Sequence, residues 1–293
     1  MIQAAHPNGA ADAKVALGVA DDRLAQIAGV LGRQAMLGPS RALDDETISR
    51  VRGLAADLAG QLVGDHAVLR ATVCDMLAAD RAILLHLHAL AVETRLIAAL
   101  ATSRGLDPVL PPLVQRRLDA GAVGTDAATL ATTMLAAQSR IGQSLRHMRL
   151  PLGELPRDLQ HLAHGIADHA FAAMAVVPRK PAPENDTHAR LSLLRRMLEG
   201  LGDDLVLALR IDQAGVPLFF SALALASGHP RETVALACVE DDPVRLALLL
   251  RAAGLNGDEA AAQLVAIRPD ADPSLALRIG DTATAGHLLA AVP

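Results

Sequence analysis

Eleven histidines carry most of the chemistry this sequence offers near neutral pH, because imidazole alone changes charge there unaided. His86 and His88 stand two apart in an apolar stretch of helical period. On a helix such residues diverge by about 200°, so the pair cannot share a metal ion. His161 and His164, at i and i+3, share a helix face, with His169 further round and Asp158 and Asp168 as neighbouring carboxylates. Metal and haem sites in helical bundles use such spacing, with carboxylates from a second helix. With no sign in the chain of groups to orient them as ligands, the three read instead as a solvated face. Cys74 and Cys238 are the only cysteines, far apart and each within an apolar helical pattern, and they read as small buried hydrophobes. The two lysines, Lys14 and Lys180, lie near the start and in a proline-rich stretch, where neither gains a dry pocket for Schiff-base chemistry. Neither belongs to a phosphate-binding glycine loop, and no dinucleotide, nucleophile-elbow or zinc-protease motif occurs. The residues therefore define no catalytic, cofactor-binding or metal site, and the expectation is no cofactor.

Composition narrows the partners. The net charge is −5 and the aromatic content 1%, the three phenylalanines being Phe171, Phe219 and Phe220. An acidic chain without aromatic platforms is a poor nucleic-acid or anionic-membrane binder. The start of the chain has no basic region leading into an apolar one, and no uninterrupted apolar run reaches bilayer length. The expectation is a cytoplasmic protein.

The elements that must position these residues are helices. Hydrophobic residues make up 52% of the chain, alanine and leucine dominate, and the residues that favour strands are sparse apart from valine. Periodicity and end signals predict helices over 21–37, 44–63, 66–79, 81–103, 111–121, 126–147 and 156–175, joined by short Gly/Pro turns as in a bundle. Val177 to Thr187 holds three prolines and then polar residues, and it reads as an extended linker. Beyond it, Pro217, Pro243 and Pro273 each read as a first-turn proline, and Asp242-Pro243 and Asp272-Pro273 repeat one opening. Second helices are expected over 230–239 and 258–267, with a last one over 284–291. Two helices per repeat is the pattern of a solenoid. The expected fold is all-α: a helical bundle at 1–176, a proline-rich linker at 177–188, and a short HEAT-like helical-repeat array at 189–293.

Two resemblances bear on function. His147-Met148-Arg149-Leu150-Pro151-Leu152 resembles the phosphoacceptor box of histidine kinases, but no acid comes after the histidine and the proline is one residue early. His164-Gly165 resembles a phosphotransfer-domain box without its lysine. The segment Met148 to Pro156, together with Arg231-Glu232-Thr233 and Asp241 through Leu255, resembles an uncharacterised alphaproteobacterial helical-repeat family, domain of unknown function 2336. That likeness spans roughly residues 30 to 270. It implies a helical array in a bacterial cytoplasmic protein and carries over no catalytic residues. The resulting expectation is a non-enzymatic protein–protein interaction or scaffold module whose partner is another protein, with a homodimer as one arrangement. Phe219 and Phe220 are candidates for its binding surface, and the equally weighted reading packs one ring in the core and the other against the N-terminal bundle. Histidine phosphotransfer through His147 or His164, and a metal- or haem-binding bundle using His161 and His164, are the alternatives.

Overall fold

The protein is described from a computed structural model that covers residues 44–120, 126–176 and 189–291, together with Lys14 and Ala42. The helix expected over 21–37 and the linker over 177–188 lie outside these residues, as does Lys180. Among the described residues the structure is all-helical, with no strand. The first half contains α1 (Asp45–Val63), α2 (Ala67–Ala79), α3 (Arg81–Arg104), α4 (Pro112–Ala120), α5 (Asp126–Arg146) and α6 (Arg157–Ala173). The second contains α7 (Arg190–Glu199), α8 (Leu205–Ala208), α9 (Ile211–Ser227), α10 (Arg231–Ala237), α11 (Val244–Ala252), α12 (Gly257–Ile267), α13 (Ser274–Arg278) and α14 (Thr282–Ala290).

Local chemistry sets the ends. The first amides of a helix have no partner inside it, and a short polar side chain can supply one. Asp44 accepts from Thr47 N at 2.8 Å, Asp80 from Ala82 N and Ile83 N at 3.0 Å, and Asp281 from Thr284 N at 2.8 Å. At α12, Asn256 and Glu259 exchange bonds of 2.9 and 3.0 Å in a reciprocal capping box. Gly105 ends α3 in the left-handed conformation (φ 64°), and Gly228 ends α9 the same way (φ 71°).

Helix α3 is the centre of the fold. From Ile83 to Glu93 almost every residue is buried, because α1, α2, α9 and α10 all pack around this part. It is long and apolar enough to cross a membrane by length and composition, but much of that apolar surface is buried against its neighbours. Past Glu93 one side opens, and Ala98 and Ala99 are exposed. Helices on either side of residues 177–188 pack directly together: α7 lies against α5, α9 against α3 and α4, and α10 against α3. Leu193 and Leu194 of α7 join Leu84, Leu87 and Ile141 in one contiguous apolar core.

In the second half, Pro217 comes just after a break in α9 at Gly215 (φ 66°, ψ 167°), so it opens a new helical segment and removes no interior hydrogen bond. Pro243 and Pro273 occupy the N-caps of α11 and α13, each preceded by an aspartate that accepts from the amide two residues on. Phe219 and Phe220 are both fully buried, with ring centroids 6.4 Å apart. The expectation that they contribute to a binding surface is therefore corrected: both rings are core residues. α9 is enclosed by α3, α4, α7, α10 and α11, which leaves neither side of the Phe pair open.

Candidate functional site

The two histidines of α3 point to opposite sides of the helix. His86 Nδ1 lies 2.9 Å from Glu232 Oε1 at the start of α10, whereas His88 Nε2 lies 2.7 Å from the carbonyl of Ala42. The Ala42 carbonyl is acceptor-only, so His88 donates from Nε2. Burial holds the His88 imidazole below its ordinary range, the bond to Ala42 opposing that only in part. Glu232 is shifted downward as well: burial alone would raise it, but the hydrogen bond and charge of His86 prevail.

One further heptad along α3, two turns beyond His86 on the same face, stands Glu93. Its carboxylate is 1% exposed and is clasped by two guanidiniums. Arg190, the first residue of α7, reaches it through both terminal nitrogens, with Nη2 3.2 Å from Oε2. Arg231, at the start of α10, donates from Nη2 to Oε2 at 2.6 Å. Arg190 also donates to Gln138 Oε1 of α5 at 3.2 Å, and its backbone amide to Glu154 Oε2 at 2.9 Å. Arg231 lies over the Phe220 ring, 5.4 Å from its centroid, and reaches Ser221 Oγ at 3.3 Å. Burial alone would raise the Glu93 carboxyl, but the two guanidiniums overcome it and hold it at about 2. The cluster thus ties α3, α5, α7, α9 and α10 at one buried point.

Glu93 and Gln138 also contribute to the lining of a groove of about 790 Å³ between the second half of α3 and the end of α5. Its apolar lining comes from Ile97, Ala98 and Ala101 of α3, Gly142 and Leu145 of α5, and Val109 of the connecting turn, interspersed with the hydroxyls of Thr94, Thr102, Ser103 and Ser139. Val109 is 39% exposed. Glu46, Arg50, Arg95 and Arg146 stand among its charged residues. The Glu93–Arg190–Gln138 bonds brace both walls, so the groove is held open by the cluster beneath it. Sequence reading missed Glu93, Gln138, Arg190 and Arg231. The available signal was an acid at a position whose i−3, i−4 and i−7 neighbours Leu90, Ala89 and His86 fall on a buried face.

Elsewhere, His161 and His169 are exposed on α6 and His164 is half-buried, with Asp158 and Asp168 exposed beside them. Among the described residues no group of three or more His, Cys, Asp or Glu could hold a metal. His147 is exposed just past the end of α5, in a second cleft lined by Arg140, Arg146 and Arg149. Cys74 is half-buried and Cys238 buried, and desolvation raises both thiols, which makes them poor nucleophiles. Compared with protein-family models, curated proteins and solved structures, the chain matches none.

Proposed function

We propose that the protein is a non-enzymatic binding module that receives a helical segment of a partner protein in the α3–α5 groove. The observation that carries this reading is the groove itself: an open trough of about 790 Å³ lined mainly by small and aliphatic side chains, set over buried ion pairs. An amphipathic helix buries its apolar stripe in such a trough, the small side chains letting its backbone approach closely. We further propose that α9 to α14 form a short HEAT-like array, α9/α10 and α11/α12 being successive pairs. In support, α11 packs against both α9 and α14, and α12 against α13. Membership of domain of unknown function 2336 and a cytoplasmic location are part of the same proposal.

The test is affinity capture from the native host with the full chain and two sets of variants. Ala98→Glu combined with Val109→Asp places carboxylates in the trough and is expected to abolish capture of the partner. His147→Ala, His161→Ala and His164→Ala are each expected to retain it. If one histidine substitution abolishes capture while the groove variant retains it, the reading gives way to phosphotransfer or metal binding.

A further inference from the structure

Arg146 lines two cavities. One is the α3–α5 groove, and the other is a cleft of about 600 Å³ at the C-terminal end of α5, lined also by Arg140, His147, Arg149, Ser144, Pro151 and Glu154. Arg140, Arg146 and Arg149 are exposed, and none has a carboxylate partner among the described residues. Elsewhere several surface arginines are paired, Arg50 with Glu46, Arg95 with Asp44, Arg117 with Asp204 and Arg278 with Asp272, while others such as Arg81 and Arg157 are exposed without a carboxylate partner among the described residues but line neither cavity. Glu154 is the single acid of the cleft, and one of its oxygens already accepts the Arg190 amide. The negative end of the α5 dipole offsets part of the repulsion among the arginines, but one helix end equals only about half a charge. A chain of net charge −5 therefore carries a concave concentration of unmatched positive charge beside its groove.

The anion that suits this cleft is defined by shape and by what is missing. Guanidinium forks bind planar carboxylates bidentately. A nucleic acid would find no base-stacking platform, because the sequence has no Trp or Tyr and Phe171, Phe219 and Phe220 are all buried. A bilayer surface is flat, whereas these side chains line a recess. We propose that the cleft binds a cluster of Asp or Glu side chains at one end of the protein segment whose apolar face occupies the groove, with Arg146 contacting both parts. This rests on reading the groove as a protein-binding site, and it adds the partner's chemistry: amphipathic along its length and acidic at one end.

The test uses the intact chain and a fluorescein-labelled oligoglutamate peptide of about eight residues, with fluorescence anisotropy as the readout. Saturable binding is expected, weakening about tenfold between about 50 mM and about 200 mM salt, since exposed charges are screened over such distances. The double variant R140E/R149E is expected to weaken it at least about tenfold, as charge reversal does at electrostatically matched surfaces. The control R195E/R278E, equal in charge change but away from the cleft, is expected to leave it unaltered, and circular dichroism reports whether each variant is folded. Absence of binding at low salt overturns the proposal, as does equal binding by R140E/R149E. So does equal or tighter binding of an oligothymidylate of the same charge, or of phosphatidylserine vesicles, when that binding is lost in R140E/R149E. The groove variant Ala98→Glu is expected to bind oligoglutamate normally. Failure of the groove reading thus shows in partner capture alone, and failure of this proposal in oligoglutamate binding.

Discussion

Glu93 is a buried charge made tolerable by its neighbours. A lone carboxylate in this position would be neutral, but Arg190 and Arg231 keep it ionised. Removing one partner of a buried ion pair leaves the others uncompensated, at a cost of about 3–5 kcal/mol. Glu93→Gln is accordingly expected to lose stability of that order in urea unfolding, whereas replacing Glu93, Arg190 and Arg231 together by apolar residues of similar size is expected to recover most of it. A carboxyl lowered from 4.5 to about 2 contributes stability that is complete above 4.5 and is lost as pH falls towards 2. His88 acts in a higher window. Its folded value is depressed below 6.5, so the neutral form is favoured, and its contribution is complete above 6.5 and declines as the pH falls further. Unfolding free energy measured from pH 7 to pH 5 is expected to fall in the parent and to fall less in His88→Gln, which has no ring to protonate.

Among the elements, α9 depends most on one backbone position. Gly215 has φ 66° and ψ 167°, a region reserved in practice for glycine, and a Cβ there would stand 3.2 Å from Pro111 Cβ. Gly228, at the end of the same helix, is left-handed too (φ 71°), but a Cβ there meets nothing within 4 Å. Gly215→Ala is therefore expected to cost about 2–4 kcal/mol, from backbone strain and overlap together. Gly228→Ala is expected to cost about 1 kcal/mol, from the left-handed conformation alone. Equal midpoint shifts in urea would show that the kink at Gly215 does not position the helix. The same break puts Pro217 at the start of a helical segment, where its missing amide has no consequence.

Over the whole molecule, the decisive feature is the packing across residues 177–188. Apolar faces of α7, α9 and α10 are covered by α3, α4 and α5, and the Glu93 cluster draws its residues from both halves. Separating residues 1–176 from 189–293 would expose those faces and leave Glu93 without Arg190 and Arg231. The intact chain is expected to unfold in one cooperative transition, with calorimetric and van't Hoff enthalpies agreeing. The separate fragments are expected to fail to reach native helicity unless mixed. Two resolved transitions, each reproduced by one fragment, would show two independent domains.

The fold class and most helix limits were legible in local chemistry, because a cap or a break acts within a few residues. Asp44 and Asp80 open α1 and α3, Gly105 closes α3, and Asp242-Pro243 and Asp272-Pro273 open α11 and α13 where the sequence places them. The divergence of His86 and His88 came from helical geometry alone. α7 and α8 were not legible, since Gly200 and Gly202 divide residues 190–208 into pieces too short for periodicity to register. Nor was the site. Glu93 meets Arg190 and Arg231 across 97 and 138 residues of chain, and the groove exists because α3 leaves its neighbours after Glu93. Amphipathic periodicity says that a face is covered, not by which helix, and an alanine-rich, nearly aromatic-free chain offers few distinctive shapes with which to choose. Local hydrogen bonds and propensity thus determined which residues are helical, whereas the pairing of faces, and with it the buried cluster, the groove and the arginine cleft, was decided only when long-range packing brought α3, α5, α7 and α10 together.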